Sequence, residues 1–203
     1  MIYKVDEGKV YYSQRNNEIK PLESCNVTSM VMALGYLGYT LPDGQHKQPE
    51  DRLRHFIETD PECLAAYERY VNQNSWTKGT AAVEIHQLLS DGTNKWMKRT
   101  VTQFRCPMPI GEIIEEIKRG RPVVLSGAFE QPGKNPLDHI VVLVGYNDET
   151  GEVCYDDPYG KTYQWSPTVS GNDSWVSWEL FIRDIKEVGN QNDKWAHIFR
   201  NSR

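Results

Sequence analysis

Cys25 is the residue whose type and position point most directly to covalent chemistry. It lies in the run Ser24-Cys25-Asn26-Val27-Thr28-Ser29, ahead of apolar residues at helical spacing, so we predict that it opens an amphipathic helix. The first turn of a helix has unpaired N–H groups and a partial positive charge, which favour a thiolate and can bind an oxyanion beside the sulfur. Cys25 is therefore a candidate nucleophile, and the alternative is a small buried residue without chemistry.

His139 and Asp157 are the candidates for a base and for the group that orients it. Strands predicted from His139 to about Tyr146 and from Glu152 to Asp157 are separated by a short turn, so we expect an antiparallel hairpin. If Tyr146 faces Glu152, Asp157 lies diagonally from His139 on one face, and Asp156 points to the other face. A carboxylate beside an imidazole fixes its tautomer and leaves the second nitrogen to take a proton from a thiol. A shift of one residue would exchange the two carboxylates, so Asp156 stays open as the alternative.

The elements on either side of Cys25 must position its sulfur. Val10-Tyr11-Tyr12 has the composition of a short strand that delivers Gln14, and a polar loop then leads to the Cys25 helix. Gly35 and Gly38 are expected to weaken and end that helix.

The rest of the chain shows helical patterns first and strand patterns second. Helical spacing runs from Pro49 to about Leu89, and a further short helix is predicted from the isoleucines at 110, 113, 114 and 117. Strand patterns follow at 122–125, 140–144 and 153–155, with a closing strand at 195–199. We therefore predict an α+β fold in one domain that covers residues 1–203.

Composition excludes several classes of function. The net charge is −5 and no basic stripe is present, which excludes an electrostatic footprint for nucleic acid. No segment approaches the roughly 18 consecutive apolar residues of a membrane span, and the N-terminus lacks the apolar region of a signal peptide. We expect a protein that is made in the cytoplasm and that would act outside the cell only after export or release by another factor. The four cysteines are widely spaced and are expected to be free thiols.

The sequence resembles the C39-like branch of the papain-like cysteine peptidases, which is typified by bacteriocin-leader processing domains. The resemblance covers roughly residues 10 to 160 and rests on the order and spacing of five short segments. These segments are Tyr12-Ser13-Gln14, Cys25 with Thr28-Ser29, Gly120-Arg121-Pro122-Val123-Val124, Asp138-His139-Ile140-Val141-Val142 through Gly145-Tyr146, and Asp157-Pro158-Tyr159-Gly160.

This resemblance implies a papain-like fold and a role for each candidate residue. It makes Cys25 the nucleophile, His139 the general base and acid, and Asp157 the orienting residue. It also makes Gln14 the side-chain donor of the oxyanion hole, where a second donor beside the Cys25 N–H would stabilise the charge of the intermediate. The commoner form of the family has Gly-Pro after the cysteine, whereas this chain has Asn26-Val27, a departure that bears on the shape of the oxyanion hole.

Several other residues could bind a metal ion or act as a base, but we interpret them as structural. His46, His55 and His86 lack the spacing that places two metal ligands on one helical face, and the acidic residues between 147 and 157 lack a calcium-loop pattern. No metal and no cofactor are therefore expected. His197 is an alternative base, but no carboxylate lies near it in the sequence.

Two segments keep an alternative to a purely structural interpretation. The aromatic residues Tyr163, Trp165, Trp175 and Trp178 are expected in the core, with a glycan or peptide groove as the alternative. The stretch between Gly127 and Asp138 is expected to be a connecting loop, with a mobile lid as the alternative.

Together these features favour a cysteine hydrolase that cleaves a peptide or isopeptide bond through a thioester. The resemblance to stand-alone C39-like proteins of bacteria and phages favours peptidoglycan peptides as the substrate, as for a phage endolysin, and a monomeric protein. Two alternatives remain: a cytosolic peptidase or deamidase that acts on a protein partner, and a non-catalytic peptide-binding module on the same fold. The thiol reactivity of Cys25 separates the enzymes from the binding module.

Overall fold

The computed structural model describes residues 1–73, 80–131, 134–160, 170–185, 187–188 and 190–202. Its helices are α1 (Cys25–Tyr36), α2 (Pro49–Thr59), α3 (Pro61–Gln73), α4 (Thr80–Trp96), α5 (Ile110–Lys118) and α6 (Trp178–Asp184). Its strands are β1 (Ile2–Lys4), β2 (Thr102–Pro109), β3 (Val123–Gln131), β4 (Lys134–Asn147), β5 (Glu152–Asp156), β6 (Ser174–Ser177), β7 (Glu187–Val188) and β8 (Asn190–Phe199). The predicted α+β fold is confirmed.

All of the strands belong to one antiparallel sheet. Its central order is β2-β8-β3-β4-β5-β6, while β1 pairs with β4 and β7 pairs with β8. β2 precedes α5 and was missed as a strand by sequence reasoning. Its partner is β8, which lies near the C-terminal end of the chain, so its pairing depends on a contact that local pattern does not reveal.

Apolar clusters cover both faces of the sheet, and β4 contributes to both of them. Alternate residues of β4 pack with α1 on one face, namely Ile140, Val142 and Val144 with Met30, Val31 and Leu34. The intervening residues Val141 and Leu143 pack on the other face with Ile113, Ile117 and Phe181. β4 is therefore buried on both sides, and α1 is held against the strand that carries His139.

Helix α1 begins and ends where the sequence predicts. Cys25 is its first residue and Tyr36 is its last, and Gly38 follows with a φ of 76°. A positive φ is readily adopted by glycine, so Gly38 allows the chain to leave the helix. α4 continues past the predicted end at Leu89, through Gly92, where an added Cβ would lie 2.9 Å from Ile57 Cγ1. Gly92 thus permits the close packing of α2 against α4.

The β4–β5 hairpin corrects the predicted register near its turn. Asn147, not Tyr146, faces Glu152, and an irregularity between Leu143 and Gly145 shifts the pairing by one residue. Beyond this bulge, Val142 faces Asp156, which is the register predicted for that end of the hairpin. The extra residue of a β-bulge explains why the turn was misplaced while the end near His139 was correct.

Two further predictions about local structure are wrong. Val10-Tyr11-Tyr12 is not a strand, because these residues have no regular structure. Tyr11 donates its hydroxyl to the main-chain oxygen of Asp157, after β5, at 2.6 Å. The stretch between Gly127 and Asp138 is not mainly a loop, because Ala128 pairs with Asp138 and Phe129 with Leu137 in the β3–β4 ladder, whose register shifts between Phe129 and Gln131. Residues 132–133 lie outside the described residues.

The aromatic segment is described only in part. Trp178 packs against the second apolar cluster, whereas Trp175 is 37% exposed. Tyr163 and Trp165 lie outside the described residues. Among the residues that the structure describes, no helix is both long and apolar enough to cross a membrane.

Candidate active site

The N-terminus of α1 presents Cys25 beside β4. As the first helical residue, Cys25 has a main-chain N–H without an intrahelical acceptor. Ser29, one turn further along α1, donates its hydroxyl to the main-chain oxygen of Ile140 at 3.2 Å. This contact ties the first part of the helix to the residue that follows His139. Asn26 Oδ1 accepts a hydrogen bond from the Val27 N–H at 2.8 Å. The side chain of the residue after Cys25 therefore binds a main-chain N–H in the first turn of α1.

His139 lies between a carboxylate and the thiol. Its Nε2 atom is 2.6 Å from Asp157 Oδ1, and its side chain is also hydrogen-bonded to Cys25. Because Asp157 contacts Nε2, the remaining ring nitrogen, Nδ1, is the one available to the sulfur. The His139 side chain is 4% exposed and Asp157 is fully buried, so both groups interact away from bulk water.

The pKa values of Cys25 and His139 move in opposite directions. Burial by itself would raise the pKa of the Cys25 thiol, but the hydrogen bond and the charge of His139 outweigh it and hold the pKa below its usual value. Burial by itself would lower the pKa of His139, but the charge of Asp157 and its hydrogen bond, together with Cys25, raise it to about 10. These directions favour a thiolate–imidazolium pair at neutral pH.

The other three cysteines have the opposite electrostatic character. Burial raises the pKa of Cys63 to about 11, and it also raises the pKa values of Cys106 and Cys154 above their usual range. Cys25 therefore differs from the other three cysteines because its histidine partner lowers the pKa of its thiol.

Asp157 is fixed by main-chain contacts as well as by His139. Its Oδ1 atom accepts the Tyr159 N–H at 2.8 Å, and its own N–H donates to the Gly171 oxygen at 3.0 Å. An aspartate that accepts the N–H two residues later is a common turn signal, so Asp157-Pro158-Tyr159 could have been read as a turn. Sequence reasoning did not identify Tyr159 or Gly171 as partners.

Gln14 is buried close to the chain that leads into Cys25. It opens a 3₁₀ turn, Gln14–Asn16, and its side chain is almost fully buried. Its Nε2 atom donates to the Pro21 oxygen at 2.8 Å, and its main-chain N–H donates to the Pro158 oxygen at 2.9 Å. An amide nitrogen carries two N–H bonds, and the Pro21 contact uses one of them.

Asp156 is separated from His139 and meets another set of partners. Its Oδ2 atom accepts the Tyr36 hydroxyl at 2.6 Å, and its Oδ1 atom accepts the Asp173 N–H at 2.7 Å. His197, the alternative base, contacts His86, with Nε2 lying 2.9 Å from His86 Nδ1. The structure thus brings Cys25, His139 and Asp157 together and gives Asp156 and His197 other partners.

The arrangement can be compared with known proteins. The sequence model of the Peptidase_C39 like family matches residues 9–181, a range that includes Gln14, Cys25, His139 and Asp157. The chain belongs to the Peptidase_C39 like family. Membership of this C39-like family indicates cysteine peptidase activity, with a protein or a peptide as the substrate.

A solved structure from Bacillus anthracis, described as that of a candidate C39-like peptidase, has the same fold as this C39-like chain. The two share 18% sequence identity with a TM-score of 0.58, and the alignment covers 100% of both chains. No curated protein matches the chain in sequence.

One acidic cluster of this C39-like chain has the composition of a metal site. Carboxylate oxygens of Asp6, Asp156 and Asp173 lie within 4.8 Å of one another. The Lys4 ammonium group forms ion pairs with both Asp6 and Asp173, so the cluster already holds a cation of its own. These contacts explain the cluster without a metal ion.

Proposed function

We propose that this chain is a cysteine peptidase that hydrolyses a peptide or isopeptide bond with a Cys25–His139–Asp157 triad. The proposal is carried by one observation: the thiol whose pKa is lowered is the one hydrogen-bonded to a histidine that a buried carboxylate orients. Family membership supports the same chemistry.

In the proposed reaction, the Cys25 thiolate attacks the carbonyl carbon and the carbonyl oxygen becomes an oxyanion. The Cys25 N–H and the Gln14 side chain donate hydrogen bonds to that oxyanion. The His139 imidazolium gives its proton to the leaving amine as the carbon–nitrogen bond breaks, which yields a thioester. His139 then takes a proton from water and the hydroxide attacks the thioester. The carbon–sulfur bond breaks, the carboxylic acid is released, and the Cys25 thiolate and His139 imidazolium are restored.

Asp157 has an orienting role in this scheme. Its contact with Nε2 keeps the proton-transferring nitrogen, Nδ1, toward the sulfur and stabilises the positive charge of the ring. The buried position strengthens this interaction because little water screens it.

A groove of about 420 Å³ next to the start of α1 suits a peptide substrate. Its walls are largely apolar and include Val27, Ile57, Leu64 and Leu88, with Lys20 and Arg54 among the charged lining residues. Asn26, the residue that follows Cys25, lines the groove as well. A peptide held at Cys25 could therefore place an apolar side chain in it.

For the substrate class, we propose the peptides of bacterial peptidoglycan, as for a phage endolysin, on the basis of the resemblance to stand-alone C39-like proteins. The test is mass spectrometry of soluble fragments released from purified peptidoglycan by the wild-type protein and by Cys25→Ala. New peptide termini with the wild type alone are expected and would identify the bond that is cleaved. If no fragment is released while Cys25 is still selectively alkylated, the peptidoglycan substrate is wrong and a protein substrate takes its place.

The same pair of proteins separates the enzyme from a binding module. A binding module would retain peptide or peptidoglycan in a pull-down, show no Cys25-dependent cleavage of any tested peptide, and leave Cys25 no more reactive than the other thiols. That combination would contradict the proposed peptidase.

A further inference from the structure

Asp156 and Asp157 are consecutive buried carboxylates with different partners. Asp157 contacts His139, whereas Asp156 accepts the Tyr36 hydroxyl at 2.6 Å and the Asp173 N–H at 2.7 Å. Both oxygens of Asp156 are therefore hydrogen-bonded to groups from two other segments. A buried carboxylate held in this way is an anchor for the backbone of its own strand end.

Tyr36 connects this anchor to the nucleophile. Cys25 and Tyr36 are the first and last residues of α1, which packs along β4 over most of its length. The α-helix is a stiff element, so a contact at one end restrains the orientation of the other. The hydroxyl of Tyr36 thus links the helix that carries Cys25 to the residue next to Asp157.

We propose that Asp156 is a positioning residue: held by Tyr36 and by the Asp173 main chain, it fixes Asp157 relative to the helix that carries Cys25. This inference rests on the proposed peptidase function, because it assigns Asp156 a role in the geometry of that site. Asp156 does not touch the reacting atoms and acts only through Asp157 and α1.

The position of Asp156 also makes this contact sensitive to pH. Burial raises the pKa of Asp156 to about 7, although the hydrogen bonds from Tyr36 and the Asp173 N–H oppose that effect. The titratable and charged groups that interact with Asp156 are Lys4, Asp6, Tyr11, Tyr36, Cys154 and Asp173. Protonation of Asp156 removes the charge that makes these hydrogen bonds strong, so the restraint weakens as the pH falls below neutrality.

Two substitutions test the proposal, and each removes a different half of the contact. Tyr36→Phe removes one hydroxyl, and Asp156→Asn removes the charge while keeping the shape of the side chain. Tyr39→Phe is the matched control, because the Tyr39 hydroxyl binds the main-chain oxygens of Arg200 and Asn201 rather than a site residue. Thermal unfolding first establishes which variants are folded at the assay temperature.

The decisive readout is the pH profile of Cys25 alkylation by iodoacetamide, with kcat and KM for a cleaved peptide as the second readout. Both test variants are expected to slow Cys25 alkylation at neutral pH by about tenfold and to move its profile to higher pH. They are also expected to lower kcat while leaving KM close to wild type, whereas Tyr39→Phe leaves both readouts unchanged.

Profiles of folded Tyr36→Phe and Asp156→Asn that superpose on the wild type would overturn the proposal. Failure of both variants to fold would also overturn it, because the contact would then serve stability alone. These results differ from a failure of the proposed peptidase, in which wild-type Cys25 itself shows no selective alkylation.

Discussion

The Nε2 atom of His139 lies 2.6 Å from Oδ1 of Asp157, and this contact decides which ring nitrogen is left for Cys25. A neutral imidazole has one donor nitrogen and one acceptor nitrogen. With Nε2–H donating to the carboxylate, Nδ1 is the acceptor that can take the thiol proton. The same contact accounts for much of the raised pKa of His139.

The first prediction concerns the pH dependence of catalysis. The proposed active form holds a Cys25 thiolate and a His139 imidazolium, so activity is expected above the lowered pKa of Cys25 and below about pH 10, where His139 loses its proton. Measurement of kcat/KM from about pH 4 to about pH 11 should give a bell-shaped pH profile with a broad plateau around neutral pH. A basic limb centred near pH 6.5 would contradict the ion pair.

The second prediction concerns the relative reactivity of the four thiols. Cys25 should be alkylated fastest at neutral pH, because its pKa is lowered while burial raises the pKa values of Cys63, Cys106 and Cys154. Peptide mass spectrometry after brief treatment with iodoacetamide measures all four sites in one experiment. Cys106 is the useful internal reference because it is partly exposed and has no histidine partner described. Equal labelling of Cys25 and Cys106 would remove the case for an activated nucleophile.

The third prediction concerns Asp157. Asp157→Asn should lower kcat by a factor of about 10² to 10⁴. The amide of asparagine cannot stabilise the His139 imidazolium, and it favours the wrong tautomer of the neutral ring. His139 should then titrate at a lower pH, which NMR of the imidazole resonances would measure. Asp184→Asn is a matched control, since Asp184 is also a buried aspartate and pairs with Arg183 instead. An unchanged kcat in Asp157→Asn would exclude Asp157 as the orienting residue.

The fourth prediction concerns Gln14. Gln14→Ala should lower kcat by about 10² to 10³ if its amide stabilises the oxyanion. Alkylation of Cys25 passes through no oxyanion, so its rate should stay close to wild type. Gln87→Ala is the control, because Gln87 is a glutamine of α4 that binds Asp91. A parallel loss of alkylation and of kcat in Gln14→Ala would indicate a structural role instead.

The fifth prediction concerns stability in acid. Burial and the nearby His86 hold the pKa of His197 well below its usual value, so the folded protein binds fewer protons there than the unfolded chain. The contribution of neutral His197 to the free energy of unfolding is therefore fully present above about pH 6.5. It is lost as the pH falls toward the folded pKa of His197, by up to about 1.4 kcal/mol per pH unit. Urea unfolding at several pH values would measure this slope. The double change His86→Leu with His197→Leu should flatten it, whereas His46→Gln, at a partly exposed site, should not.

Local pattern was sufficient to predict the helix that begins at Cys25 and the strand that carries His139, whereas the strand predicted ahead of Gln14 is wrong. The helix at Cys25, its end at Gly38 and the strands around His139 depend on periodicity and on turn residues within a few positions. Hairpin geometry predicted Asp157 on the same face as His139 but left Asp156 open as the alternative. These features needed no knowledge of distant parts of the chain.

The tertiary structure decided the contacts between distant segments. The bulge lies between Leu143 and Gly145, where an added Cβ on Gly145 would lie 2.9 Å from Cys154 Cβ. A glycine within a strand is compatible with a bulge, but the pairing across the hairpin decides its register. Tyr36 meets Asp156 across 120 positions, and β2 pairs with β8 near the end of the chain. Sequence determined that a thiol, an imidazole and a carboxylate were available on suitable elements. Only the fold decided that Cys25 has a lowered pKa, because the partner His139 acts through space and outweighs burial, which by itself raises the pKa of the thiol.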